Sequence, residues 1–208
     1  MPKVASIIPI KFAVFRDGEP AEVTLSFASQ ADIVSTTRWR LPSLHDDSMR
    51  ARASDSREFA LLAAKRWRHY RDTDTAVYSV AELQSRISSE PEGEFCFNLK
   101  VTADWFPGIL GGAMLRRTWH HHLALDFLFV HPRIASRLVD VRSVGAQLLH
   151  GMCILADGLG CQRIWGEATQ ESAPFYRRYL KQPVDDQFAI DSKEIAQMAS
   201  ALEAERIR

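Results

Sequence analysis

The chain has 208 residues, 46% hydrophobic and 25% charged, with 26 basic residues balanced by 26 acidic ones. That length suits one globular domain with a sizeable core, and zero net charge gives no global field toward nucleic acid or an anionic membrane. No apolar run approaches the roughly 20 residues that span a bilayer, and the opening Met1 to Pro9, with one Lys and a short apolar run broken by proline, is not expected to act as a signal peptide. Cys96, Cys153 and Cys161 lack Cys-x-x-Cys spacing, so reduced thiols and a cytoplasmic location are expected.

Ile10 to Phe15 and Val23 to Phe27 flank an Asp17-Gly18 turn signal and predict a hairpin. Residues 28 to 54 are polar and weakly patterned, and read as a long loop or short helices. Asp55-x-x-Glu58 has the form of a capping box, and behind it Phe59, Leu62, Ala63, Arg66, Trp67 and Tyr70 share one helical face. A second box, Ser79-x-x-Glu82, opens a shorter helix that ends before Pro91. Glu94 to Thr102 alternates as a strand, Trp105 to Gly108 reads as a turn, and Ile109 to Trp119 and His122 to Val130 read as antiparallel neighbours.

The helix after Ser143 is apolar nearly all round, and Gly158 or Gly160 supplies its left-handed end. Arg163 to Thr169 is a strand, parallel to His122–Val130 through that helix, and Ser172 to Leu180 is a further helix. Asp191-x-x-Glu194 opens a last helix to about residue 206, with Ile195, Met198, Ala199 and Leu202 as its apolar side. The fold class is mixed α/β. A strand, a helix N-terminus and a parallel strand make a device for holding a phosphate-bearing cofactor.

These residues resemble the GNAT superfamily of acetyl-coenzyme A-dependent N-acetyltransferases, over roughly Glu94 to Leu180. The family strand Leu-x-Val-x-Pro is matched by Leu128, Val130 and Pro132. The loop Gln/Arg-x-x-Gly-x-Gly/Ala, followed by Leu-Leu, aligns Asp140, Ser143 and Gly145 with its marked positions ahead of Leu148-Leu149. Only Gly145 obeys that pattern. The family's Thr and Asn-x-x-Phe-Tyr are met by Thr169, Ser172, Phe175 and Tyr176, and Ile109 to Met114 resembles the strand before. The resemblance implies a mostly antiparallel sheet with a V-shaped splay between two central parallel strands and helices on both faces. It implies one GNAT-like domain over 1–208: a hairpin and loop extension over 1–54, a helical acceptor-side region over 55–90, a cofactor-binding core over 94–180, and a terminal strand and helix over 186–206.

It also implies N-acyl transfer from acetyl-coenzyme A to an amine, by direct attack in a ternary complex and without a metal. The pantetheine arm is expected on Leu128, Phe129 and Val130, with Ser172 and Phe175 beside it. The pyrophosphate is expected on the N–H groups of Ser143, Val144, Gly145 and Ala146, with Arg142 in support. Asp126, four residues before Val130 and so expected on its face, is the candidate base; the alternative is an Asp bonded to neighbouring backbone or to Arg116 or Arg117. Glu167 is the reserve base. Tyr176 is the candidate acid toward the leaving thiolate, against a packing role beside Phe175. The Val130 N–H is the candidate donor to the thioester carbonyl.

Trp119-His-His-His122 is read as a turn with solvent- or substrate-facing imidazoles rather than a metal site, because adjacent strand residues point to opposite faces. Lys65 to Arg71 mixes basic and aromatic residues as RNA binders do, but an amphipathic helix with snorkelling arginines explains it. The expected acceptor is a small-molecule or peptide amine, recognised by residues 28 to 90, with no nucleic acid or membrane partner; a homodimer is among the expectations. The alternatives are a catalytically inactive GNAT-like binding or scaffolding protein, and an acyltransferase using another acyl-thioester donor.

Overall fold

The computed structural model describes residues 8 to 206, without the side chains of 201 to 206. The reading of the opening segment therefore lies outside the described residues over Met1 to Ile7, as does the packing expected of Leu202.

Local chemistry sets most element boundaries. Strands β1 (Ile10–Arg16) and β2 (Glu19–Phe27) pair from Ile10↔Leu25 to Arg16↔Glu19. Asp17 and Gly18 have φ of 52° and 87°, the two left-handed residues a tight right-twisted hairpin requires. Helix α1 (Gln30–Thr36) starts on a reciprocal Ser29–Asp32 box. Helix α2 (Asp47–Asp72) is 26 residues long and is capped by Asp46, whose carboxylate accepts the Met49 N–H at 2.7 Å. The start expected at Asp55 is thus corrected: Asp46 has the same capping chemistry nine positions earlier, and Asp55 and Glu58 lie inside the helix. Helix α3 (Val80–Ser89) begins at Ser79 as its box predicts, with the Glu82 N–H on Ser79 Oγ at 3.1 Å.

Strands β3 (Phe95–Ala103), β4 (Phe106–Arg117) and β5 (Leu123–Val130) form a meander. The β3–β4 turn is Asp104-Trp105, so Phe106, Pro107 and Gly108 belong to β4; register shifts beside Thr102 accommodate the early pairing of Ala103 with Phe106. There follow α4 (Pro132–Ala135), the two-residue β6 (Val141–Arg142), α5 (Val144–Leu159), β7 (Arg163–Glu167), α6 (Ala173–Leu180), β8 (Gln187–Asp191) and α7 (Ser192–Arg206). Gly160, at φ 72°, ends α5, and Asp191 and Glu194 exchange side-chain-to-N–H bonds at 2.9 and 3.0 Å before α7. The short β6, paired to β1, and α4 have no signal in the sequence pattern.

The eight strands form one sheet in the order β6-β1-β2-β3-β4-β5-β7-β8. Every pairing is antiparallel except β5 with β7, which α5 connects. Helices α5 and α7 cover one face and α1 and α2 the other. Leu148, Leu149, Met152 and Leu155 of α5 are all 0% exposed; burying each stabilises by about 2 kcal/mol. Under α2, Ala60, Ala63, Ala64 and Trp67 pack on Cys96, Met114 and Phe129. The cysteines are free and buried, and burial pushes the thiols of Cys153 and Cys161 up to about 12. Among the described residues no helix is long and apolar enough to cross a membrane.

Candidate active site

The β5–β7 pairing stops early. Leu123, Ala124 and Leu125 pair with Ile164, Trp165 and Gly166, and beyond them β5 runs on to Val130 without a strand on that side. A β-bulge sits where the strands part. Met114 pairs with Phe127 and Leu115 with Leu125, so Asp126 has no residue opposite it on β4. An extra residue twists and bends its strand, which here swings the end of β5 away from β7. The V-shaped splay expected of the sheet is present.

The bulge also changes which face each side chain takes. Leu125, Leu128 and Val130 pack toward α5, while Phe127 and Phe129 pack toward α2. Asp126 also turns toward α2, where it meets Arg66. The expectation that Asp126 shares a face with Leu128 and Val130 is corrected, because alternation fails across a bulge.

On the α5 side of the splay lies a cavity of about 370 Å³. Leu128, Phe129 and Val130 reach it from the end of β5, Ser143, Val144, Gly145 and Ala146 from the start of α5, and Ser172 and Phe175 from α6. The side chains expected around a cofactor thus converge, with one exception. Arg142 does not line the cavity; its exposed guanidinium is spent on the half-buried Asp140 carboxylate at 2.9 and 3.2 Å. The cation that does line it is Arg52 of α2, accompanied by Asp55 and Glu171. Sequence reasoning missed Arg52 because it placed residues 47–54 outside the helix.

Ser143 has φ 74°. It holds, at the cost of a Cβ clash, the left-handed conformation that glycine adopts freely. Behind it the N–H groups of Val144, Gly145 and Ala146 have no intrahelical acceptor, because they begin α5. A Cβ on Gly145 would lie 3.3 Å from the Phe175 ring, so glycine keeps that passage open.

The Val130 backbone, at the open β5 edge, is already engaged. Its N–H donates to Ser56 Oγ of α2 at 2.9 Å, and the Ser56 hydroxyl donates to the Val130 carbonyl oxygen at 2.5 Å. Ser56 thereby takes the N–H expected to polarise a thioester carbonyl.

A second cavity of about 450 Å³ opens on the α2 side. Phe59, Leu128, Thr169, Ser172 and Phe175 line both cavities, so the two meet at the splay. Asp126 lines the second but is not free to act as a base. Its carboxylate takes both Nε and Nη2 of Arg116, at 2.7 and 2.9 Å, and Arg66 at 3.3 Å, and its side chain is 6% exposed. Arg116 also bonds Glu94 at 3.1 Å, and Glu94 accepts the Tyr70 hydroxyl at 2.7 Å. The bond to Asp126 holds the Arg116 guanidinium above its ordinary pKa. The ion-pair alternative for Asp126 is the one realised. Glu167, at the end of β7, lines the same cavity, is exposed, and has no ion pair among the described residues.

Tyr176 also lines this cavity, although its ring is 4% exposed and stacks on Phe188 at 4.2 Å. Burial pushes its phenol pKa up, and among the described residues its hydroxyl has no hydrogen-bond partner. Of residues 28 to 90, expected to recognise the acceptor, only Phe59 lines this cavity.

Contacts also place His121 and the arginines of α2. His121, at φ 58°, accepts from the buried Arg117 through Nδ1 at 2.9 and 3.1 Å and sets Nε2 2.9 Å from the Leu159 carbonyl. It pins the β4–β5 turn instead of facing solvent. Among the described residues no three His, Cys, Asp or Glu side chains are placed to hold a metal ion. On α2, Trp67 is 2% exposed and Arg71 and Arg66 lie over the rings of Trp67 and Phe127.

The parallel pair splayed around a helix N-terminus is the GNAT-like arrangement that the sequence resemblance implies. No family model matches the sequence, and no curated protein matches it significantly. Among solved structures, an acetyltransferase from Bacillus cereus is 25% identical over 47% of this chain and 68% of its own, with a TM-score of 0.36. The Paia N-acetyltransferase from Thermoplasma acidophilum, in complex with coenzyme A, is 13% identical over 81% of this chain and 98% of its own, with a TM-score of 0.47. An acetyltransferase of the GNAT family from Staphylococcus aureus is 10% identical over 80% of this chain and 97% of its own, with a TM-score of 0.46.

Proposed function

We propose that the chain is a cytoplasmic N-acyltransferase that moves an acetyl group from acetyl-coenzyme A to an amine by direct attack. The observation that carries this reading is the meeting of two cavities at the splay, one beside the first N–H groups of α5 and the other beside Glu167, which has no ion pair among the described residues. A donor arm and an acceptor then enter from opposite faces and meet between β5 and β7.

The first turn of α5 suits a pyrophosphate, because orphan N–H groups and the helix dipole favour anions, and Arg52, whose Nε and Nη2 also reach Ser48 at 3.4 and 3.2 Å, adds a positive charge. Leu128 to Val130 offer the backbone edge along which an amide-bearing arm lies. Coenzyme A supplies an acyl thioester, whose carbon is open to attack and whose thiolate is the leaving group. Glu167 accepts the proton of the attacking amine, directly or through water, while the C–N bond forms and the C–S bond breaks. The Tyr176 hydroxyl, without a hydrogen-bond partner among the described residues, donates to the departing sulfur. Another acyl thioester fits the same chemistry.

One observation favours a second reading, a catalytically inactive GNAT-like binding module: Ser56 occupies both polar groups of Val130. Incubation with acetyl-coenzyme A and a panel of amines, following free thiol, tests the two. Amine-dependent thiol release is expected; coenzyme A binding without release under any amine would leave only the binding module.

A further inference from the structure

The face of β7 and β8 opposite α5 is not covered by α2, which packs on β5, β4 and β3. Along this bare face lies a third cavity, also of about 450 Å³, and Gln187 lines both it and the acceptor-side cavity. The two cavities adjoin at Gln187, so together they trace a path from the splay down β7.

The groove mixes apolar and polar lining, with opposite charge at its ends. At the splay stand Glu167 and Asp186, neither in an ion pair among the described residues. At the far end stands Arg163 beside His122, and Arg163 too has no ion pair among the described residues. Asp191 lies opposite Arg163 on β8, but its carboxylate is directed to the Glu194 N–H at 2.9 Å. Between the two ends Trp165 presents a side chain 37% exposed, the only tryptophan on β7. Arg163 and Glu167 point to the same side of β7, four residues apart, hence roughly 13 Å along the strand.

We propose that the acceptor is a short peptide with a free C-terminal carboxylate, laid extended along β7. Its amino group sits at the splay near Glu167 and Asp186, its carboxylate at the Arg163 fork, and one of its two inner residues on the Trp165 ring. Roughly 13 Å matches an extended peptide of about four residues. An isolated monoamine leaves Arg163 unused, whereas a free peptide satisfies both charged ends. The inference rests on the acyl-transfer reading and adds the acceptor to it.

The test uses the full chain with acetyl-coenzyme A and three acceptors: a tetrapeptide acid, the same peptide amidated at its C-terminus, and a simple alkylamine. The acid is expected to have a KM about fivefold below that of the amide, the upper range of an exposed ion pair. Arg163→Gln is expected to abolish that preference by raising KM for the acid alone, with kcat and the amidated peptide unaffected. Trp165→Ala raises KM for both peptides and not for the alkylamine. Equal use of acid and amide by the native chain, or an equal effect of Arg163→Gln on both, overturns the proposal while acyl transfer stands. No thiol release with any amine, together with no binding of coenzyme A, overturns the underlying reading and this one with it.

Discussion

Ser56 and Val130 are joined twice: one hydroxyl accepts the Val130 N–H at 2.9 Å and donates to its carbonyl oxygen at 2.5 Å. These are the strand-edge groups with which a pantetheine amide would pair. A side chain from α2 therefore competes with the proposed donor for the end of β5. Ser56→Ala removes both bonds. The melting temperature is expected to fall by about 2–6 °C, while coenzyme A affinity by calorimetry rises several-fold. Weaker binding in the variant would mean that Ser56 holds the ligand rather than competes with it.

Asp126 and Glu167 separate structure from chemistry. Asp126→Asn leaves Arg116 without its bidentate partner in a largely buried network, and a loss of about 3 kcal/mol is expected in urea unfolding. Glu167→Gln is expected to leave stability within about 0.5 kcal/mol and to lower kcat by about a hundredfold. A larger kcat loss for Asp126→Asn than for Glu167→Gln would return the base to Asp126.

Tyr176→Phe keeps the ring stacked on Phe188 and removes only the hydroxyl. Turnover is expected to fall by about tenfold or more, with coenzyme A affinity nearly unchanged. An unchanged kcat would leave Tyr176 a packing residue.

Ser143 holds φ 74° with a Cβ, so Ser143→Gly is expected to stabilise by about 1 kcal/mol, or roughly 2–4 °C in melting temperature. A destabilised variant would show that the hydroxyl contributes more than the strain costs.

His131 lies between Trp39 and Phe106, with ring centroids 4.9 and 5.2 Å away, and burial with Arg133 nearby lowers its pKa to about 4. In the unfolded chain it titrates near its ordinary 6.5. Between those values the unfolded state binds the extra proton, so stability is full above pH 6.5 and falls as pH drops toward 4. His131→Asn keeps an acceptor for the Arg133 N–H and removes the titration. Thermal melts of the variant are expected to lose part of the slope between pH 6.5 and 4; an identical slope would place its origin elsewhere.

What the sequence reveals here is what local chemistry decides. Asp17-Gly18, Ser79 and Asp191 each sit in the turn or cap their side chains predict, because the deciding contacts lie within a few residues. Leu128 to Val130, Gly145 and Phe175 could be placed around one cavity only through the motifs that resemble the GNAT superfamily. Asp126 could not be placed. Its face depends on a bulge set by pairing with Met114 and Leu115, which no periodicity within β5 records. Arg52 and Ser56 were illegible for a related reason: they reach the site through a helix whose start is marked equally well by Asp46 and Asp55.

The most direct test is a titration of coenzyme A followed by amide NMR of the isotopically labelled chain. The proposed function predicts saturable shifts concentrated at Val144, Gly145 and Ala146, with a further shift at Val130 as Ser56 is displaced. Absence of shifts at millimolar coenzyme A, or shifts confined to residues away from the splay, would contradict it.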